Sequence, residues 1–88
     1  MVFDNLFYEK KFEIPYYTRK KLGEYICKQR ENKNLKLSEL SKLSGVSLND
    51  LHRLEYGTFT EFNIFKLKEV CNSLDIQMTF ILKMIGIL

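Results

Sequence analysis

The sequence predicts a small all-α domain of four to five helices, and three observations support this class. The chain has 88 residues, so we expect a single domain with one core. Its hydrophobic fraction of 45% and charged fraction of 28% are those of a folded globular protein. Apolar residues recur at helical spacing over most of the chain, and Gly45 and Gly57 separate the periodic segments.

Residues 1–17 are predicted to form an aromatic arm that ends near Pro15. Side chains this apolar pack on their own domain, on a second subunit or on a partner protein, and the sequence does not decide among these three surfaces. The arm has no long apolar run and carries Asp4 and Glu9 early, so neither a signal peptide nor a membrane span is indicated. We therefore expect a soluble, cytoplasmic protein. The aromatic residues of the arm are Phe3, Phe7, Tyr8, Phe12, Tyr16 and Tyr17.

Two helices are predicted between the arm and Gly45. Thr18 can cap the first helix, in which Leu22 and Ile26 fall on one face. The polar run 31–34 ends this helix. Leucines at 37, 40 and 43 predict a second, short helix, which breaks at Gly45 because glycine accepts the positive φ of a sharp reversal.

Two further helices are predicted between Ser47 and Leu74. Ser47 and Asp50 form a start similar to a capping box, Leu51 and Leu54 point inward, and Gly57 ends the third helix. Asn63 can cap the fourth helix. One apolar stripe runs along this fourth helix and predicts core: Ile64, Leu67, Val70, Cys71 and Leu74.

Residues 77–88 are predicted to be a dimerisation segment. Met78, Phe80, Leu82 and Met84 alternate with their neighbours, which favours a strand over a fifth helix. A lone apolar strand needs a partner for its edge, and the same strand of a second copy would provide one. The sequence therefore predicts a homodimer through these four residues.

The charge distribution and the cysteines limit the classes of function. Residues 10–36 hold nine Lys or Arg against three Glu, an excess of +6, which indicates either an anionic partner such as nucleic acid or a solvated face. Cys27 and Cys71 lie far apart and there is one His, so we expect reduced thiols, no metal and no cofactor. No nucleophile–base pair, carboxylate pair or phosphate-binding glycine loop is present, so we expect no enzyme.

Residues 37–57, "LSELSKLSGVSLNDLHRLEYG", resemble the helix-turn-helix family of phage lambda repressor and Cro-type proteins. The resemblance extends over about residues 19–76, with Arg30, Leu40, Gly45 and Glu55 at the family's spacing. It implies that residues 18–76 are a DNA-binding domain whose partner is a double-stranded operator. In this fold the second helix of the motif lies across the major groove.

Four outward residues of the third helix are candidates for base contacts: Leu48, Asn49, His52 and Arg53. Asn can bond an adenine edge, Arg a guanine edge, and Leu48 can touch a thymine methyl group. Each could instead be only a solvated surface residue, and His52 could contact phosphate. Asp50 is predicted to stabilise the start of the helix and not to contact DNA.

The resemblance also assigns an ion pair, and the charge and reach of polar side chains near the motif indicate candidates for phosphate contacts. Arg30 and Glu55 occupy positions that pair in several members of the family, so we predict a structural ion pair. The second helix begins with Lys36 and Leu37 where many members have Ser or Thr followed by Gln, so a cap is missing. The candidates for phosphate contacts are Lys33, Lys36, Ser38, Lys42 and Ser47.

These observations predict a transcriptional regulator, either an autoregulatory repressor or an antitoxin that binds a palindromic operator as a dimer. The segment "SLDIQMTFILK" (residues 73–83) is similar to the end of small antitoxins that partner HipA-type kinase toxins, which implies a cognate toxin. The alternative is a protein-binding module of a toxin–antitoxin or regulatory complex, with the same fold and little DNA specificity.

Overall fold

The computed structural model describes residues 14–59 and 63–88, and these residues form five helices without a strand. Most of the predicted aromatic arm lies outside the described residues. At the end of the arm, Ile14 is buried, whereas Tyr16 and Tyr17 are exposed. The helices are α1 (Tyr16–Asn32), α2 (Leu37–Ser44), α3 (Leu48–Tyr56), α4 (Ile64–Ser73) and α5 (Met78–Met84).

Helix α1 begins at Tyr16, two residues before the predicted start, and the prediction that Thr18 caps it is wrong. Pro15 occupies the N-cap position with φ −55°. Its carbonyl accepts a hydrogen bond from the backbone N–H of Arg19 at 3.0 Å. Proline suits a helix start because its φ is already helical and its missing N–H would have no partner there.

The predicted turn before α3 and the caps at Ser47, Gly57 and Asn63 are confirmed. Gly45 ends α2 with φ 74°, and Gly57 ends α3 with φ 71°. The Ser47 hydroxyl accepts a hydrogen bond from the backbone N–H of Asp50 at 3.1 Å. Asn63 caps α4 in the same way, through Lys66. These signals act within a few residues, so local sequence alone reveals them.

The start of α2 has a partial cap that the sequence analysis overlooked. The Glu39 carboxylate accepts a hydrogen bond from the backbone N–H of Lys36 at 2.8 Å. A lysine side chain has no acceptor to return the bond, so only half of a capping box is formed. The negative charge of Glu39 also lies at the helix end that favours it.

The core lies between the five helices, and all of them contribute to it. Leu43 does not take part, since it is 62% exposed. Helix α1 packs mainly against α3, α2 packs against α3 and α4, and α5 packs against α1. The buried apolar residues are Ile14, Leu22, Ile26, Leu40, Val46, Leu51, Leu67, Val70, Cys71, Leu74, Ile81 and Ile85.

Gly23 makes the contact between α1 and α3 unusually close. A Cβ atom added at this position would overlap the backbone carbonyl groups of Leu54 and Glu55. No other residue fits without moving one of the two helices. This role could not be predicted from the sequence, because the two segments are some thirty positions apart along the chain.

The predicted C-terminal strand is wrong, because Met78–Met84 form helix α5. Ile81 and Ile85 are one helical turn apart, and both are buried, at 0% and 8% exposure. The alternating pattern placed these two residues on the outer side of a strand. A helix satisfies its own backbone hydrogen bonds and needs no partner strand. The argument for a dimer from an unpaired strand edge therefore no longer applies.

Candidate nucleic-acid interface

Helix α3 divides into a buried side and an outer side. Leu51 is fully buried, and Leu54 packs partly buried against the core. The other side carries Leu48, Asn49, His52 and Arg53, all of which are exposed, and we call these four residues the α3 outer face. The side chains that the core leaves free are therefore gathered along one side of this helix.

The turn between α2 and α3 is held by side chains of α2. The Ser41 hydroxyl donates a hydrogen bond to the carbonyl of Val46 at 2.6 Å, and the Ser44 hydroxyl accepts one from the N–H of Val46 at 3.1 Å. Val46 itself is buried. Both polar groups of this turn residue are thereby paired, which fixes how α3 leaves α2.

An ion pair joins the end of α1 to the end of α3. Arg30 donates two hydrogen bonds to the Glu55 carboxylate, from Nε at 2.7 Å and from Nη2 at 3.0 Å. The two side chains are 14% and 6% exposed, and Arg30 also donates to the carbonyl of Leu35. The hydrogen bonds to Glu55 raise the pKa of Arg30 further above its usual range. This pair is therefore part of the scaffold behind α3.

Both cysteines are free thiols with raised pKa values. Burial raises the pKa of Cys71 to about 11. Burial is also the main cause of the raised pKa of Cys27, and the adjacent Glu55 carboxylate adds to it. Cys27 Sγ lies 3.5 Å from Nη2 of Arg30. Thiols of raised pKa form little thiolate at neutral pH, so these two are poor nucleophiles.

The last turn of α3 adds an aromatic residue that the sequence analysis did not single out. Tyr56 is 62% exposed, and its ring lies 4.4 Å from the ring of His52 between centroids. The two residues are four positions apart, which places them on neighbouring turns of one side of the helix. Tyr56 therefore extends the α3 outer face towards the C-terminal end of the helix.

Asp50 lies beside the α3 outer face and contacts two cations. Its carboxylate accepts a hydrogen bond from Nζ of Lys66 in α4 at 2.7 Å, and Nη1 of Arg53 lies 3.9 Å away. The hydrogen bond from Lys66 is the main cause of the lowered pKa of Asp50. The capping box predicted for Ser47 and Asp50 is therefore only half formed, since the Asp50 carboxylate is directed to Lys66.

The candidates for phosphate contacts lie in three places. Lys36, Ser38 and Lys42 are exposed on and just before α2, and Ser47 is the exposed N-cap of α3. Lys33 differs from these, because its Nζ lies 2.8 Å from the Asp75 carboxylate in the turn after α4. The hydrogen bond from Lys33 lowers the pKa of Asp75. The positive charge of Lys33 is thus partly neutralised by a carboxylate of the same molecule.

The predicted dimerisation residues do not form one exposed surface. Met78, Leu82 and Met84 are partly buried against the core of their own chain. Phe80 is 50% exposed, and its ring lies 5.3 Å from that of Tyr25 in α1 between centroids. Phe80, which packs beside the partly buried Tyr25, and Leu88, which is 65% exposed, are therefore the exposed large apolar side chains of this region.

Residues 14–59 and 63–88 contain neither a metal centre nor a membrane-spanning helix. No group of three or more His, Cys, Asp or Glu side chains in these ranges could hold a metal ion. Among the helices described, none is long and apolar enough to cross a membrane.

Comparison with known proteins gives one family and several related structures. Residues 26–86 match the model of the Cro/C1-type HTH DNA-binding domain, in which HTH stands for helix-turn-helix. The clp gene regulator ClgR from Corynebacterium glutamicum is 30% identical; one structure has a TM-score of 0.68 and covers 86% of this chain and 95% of the other, and a second has 0.66, 78% and 72%. No protein of curated function matches the sequence significantly.

A third related structure is more distant. It is an HTH_3 family transcriptional regulator from Vibrio cholerae, with 19% identity and a TM-score of 0.67. The match covers 77% of this chain but only 38% of that regulator, so this chain corresponds to about two fifths of it. This likeness supports the fold of five helices.

Proposed function

The chain belongs to the Cro/C1-type helix-turn-helix DNA-binding family, and we propose that it is a sequence-specific regulator of transcription that binds double-stranded DNA. In this proposal α3 enters the major groove and α2 lies against the backbone, as in other proteins with this motif. ClgR, by its description a regulator of clp genes, has a similar fold over most of this chain.

One observation carries the proposal: the α3 outer face is exposed and contributes nothing to the core. Asn49 presents an amide that can bond the N6 and N7 edge of adenine, and Arg53 a guanidinium that can bond guanine O6 and N7. Leu48, half exposed at the first position of α3, is suited to a thymine methyl group. His52 would contact a base or a phosphate.

Exposed groups around α2 and the start of α3 would hold the DNA backbone. Lys36 and Lys42 bring charge to both ends of α2, and Ser38 and Ser47 bring hydroxyl groups. Contacts of this kind position a protein on DNA and carry no sequence information. Lys33 is the weakest candidate of this group, since the carboxylate of Asp75 already binds it.

We further propose that the regulator acts as a homodimer and represses transcription at a near-palindromic operator. The half-exposed Phe80 ring, which packs beside Tyr25, supports this, because the same ring on a second subunit could cover it. Two copies of α3 would then lie about 34–36 Å apart, in successive turns of the major groove.

The proposal is tested by selecting binding sites from a pool of random duplexes with the parent protein, and by measuring two variants on the selected duplex. Asn49→Ala and Arg53→Ala should each weaken binding to it by about 1–3 kcal/mol and relax the preference at one base pair. The reason is that each change removes a base-edge contact while the core stays intact.

Matched controls keep this test specific. Asn72→Ala in α4 and Lys28→Ala in α1 remove the same kinds of group from other exposed positions, and both should bind the selected duplex like the parent. Circular dichroism should show the same helix content for all four variants. If the two α3 variants keep the parent's affinity and base preference, the assignment of the α3 outer face is wrong.

A second candidate function is a protein-binding module with the same fold. Leu48 and Tyr56 favour it, because both are large apolar side chains exposed on α3. An antitoxin would combine both functions. The similarity of this chain to antitoxins of HipA-type kinase toxins stays a prediction. A tight complex with the protein encoded by a neighbouring gene, together with no preferred sequence in the selection, would favour this candidate.

A further inference from the structure

Three charged side chains meet at the edge of the α3 outer face. The Asp50 carboxylate lies 2.7 Å from Nζ of Lys66 and 3.9 Å from Nη1 of Arg53. The Asp50 side chain is 32% exposed, whereas those of Lys66 and Arg53 are 53% and 55% exposed. One carboxylate therefore faces two cations that solvent, or an anionic ligand, can reach.

The cap hydrogen bonds of α3 and α4 do not involve this carboxylate. Ser47 already caps α3 by accepting the hydrogen bond from the N–H of Asp50, and Asn63 caps α4 by accepting that of Lys66. Exposed ion pairs also contribute little to stability, because water and salt screen them. A different role is expected for a negative charge beside residues that would approach DNA.

We propose that Asp50 is a specificity-determining residue, which binds Lys66 and so withholds it from DNA phosphates. This inference rests on the proposed function. A lysine free to bind phosphate strengthens binding to every sequence equally, and it adds nothing to the choice among sequences. With Lys66 held by Asp50, a larger share of the affinity comes from the α3 outer face.

The same carboxylate also limits what Arg53 can do. At 3.9 Å the Asp50–Arg53 contact is at the outer limit of an ion pair, so the guanidinium is attracted to one side but not tied down. The carboxylate repels phosphate groups that approach either cation. A base edge, which carries no net charge, meets less of this repulsion, so Arg53 is directed towards bases.

The test compares Asp50→Asn with the parent on two DNAs, poly(dI-dC) and the duplex that the parent selects from a random pool. Binding is measured by fluorescence anisotropy from low to physiological salt. Asp50→Asn should bind poly(dI-dC) several-fold more tightly. The slope of the logarithm of the binding constant against the logarithm of the salt concentration, the log–log salt slope, should be steeper by about 0.9 for each Lys66 released. Binding to the selected duplex should gain less, so the ratio of the two affinities falls.

Two further variants separate the Lys66 mechanism from a simple change of charge. Glu24→Gln removes the same charge from an exposed position on α1 and should leave the salt slope unchanged. Asp50→Asn combined with Lys66→Gln should lose the gain on poly(dI-dC), because the released lysine is no longer present. Thermal unfolding followed by circular dichroism verifies that each variant folds.

Each other outcome overturns a defined part. If Asp50→Asn matches the parent or Glu24→Gln on poly(dI-dC), or binds both DNAs more weakly, Asp50 does not withhold Lys66. If the parent binds poly(dI-dC) but selects no sequence, the proposed function fails, while the salt slopes still decide the role of Asp50. If the parent binds neither DNA, both proposals fail.

Discussion

The Arg30–Glu55 pair shows how much one contact can contribute in a domain of this size. Both side chains are nearly buried, and two hydrogen bonds join them. Removing one member leaves the other charge without a partner in a place that water hardly reaches, which is far more costly than loss of an exposed pair. The pair also connects α1 to α3, so it supports the helix that we propose reads DNA.

Glu55→Gln should therefore lower the free energy of unfolding by about 3 kcal/mol, because the amide cannot balance the buried charge of Arg30. Thermal or urea unfolding followed by circular dichroism measures this loss. Asp75→Asn is the matched control, since it makes the same change in the exposed pair with Lys33 and should hardly move the midpoint. Equal midpoints for the two variants would contradict the structural role.

At the scale of the helices, α5 shows why the two sequence patterns were confused. Residues Met78–Met84 alternate in character, but Ile81 and Ile85, the residue that follows this segment, also have the i, i+4 spacing of a helix. A short apolar run satisfies both periods, and only the surface offered by α1 decides which residues are buried. Helix formation here therefore depends on tertiary packing.

The helix and the strand predict opposite rankings of two substitutions. In α5 Ile81 is fully buried and Phe80 is half exposed, so Ile81→Ala should destabilise the protein by about 2–4 kcal/mol and Phe80→Ala by much less. In the alternating strand Phe80 would point inward and Ile81 outward. Urea unfolding of the two variants decides, and a larger loss for Phe80→Ala would contradict the helix.

The sequence predicted the elements around α3 well because their signals are local. The residues at 45, 47 and 57 fix turns and caps within a few positions, and the spacing of Leu51 and Leu54 identifies the buried side. The Asp50–Lys66 hydrogen bond and the fit of Gly23 against α3 could not be predicted, because each joins parts of the chain that are adjacent only in the fold.

The whole molecule carries a net charge of +3, so overall attraction alone would hold DNA only weakly. The arrangement of the cations therefore matters more than their number. Some of them are already engaged within the protein, as Lys33 with Asp75 and Lys66 with Asp50. A dimer would double the number of available phosphate contacts and place them along two turns of DNA.

Phe80→Lys should disrupt the proposed dimer without unfolding the subunit, because the ring is half exposed in the single chain. Sedimentation velocity measures the shift from dimer to monomer. The log–log salt slope for the selected duplex should change from the order of −6 to −10 in the parent to about half of that, as one subunit's phosphate contacts are lost. Lys68→Ala, at another exposed position, should sediment as a dimer like the parent. A monomeric parent would contradict the proposed dimer.

The close fit of Gly23 against α3 determines where this chain can change and where it cannot. Any side chain at Gly23 would push α3 away, whereas Gly45 and Gly86 have open space around them and accept Asn, which tolerates positive φ. The α3 outer face lies on the side of α3 opposite to Gly23 and takes no part in this contact. New DNA preferences could therefore be engineered into, or evolve in, this chain by exchanging those four residues, while the glycine that sets the helix spacing stays fixed.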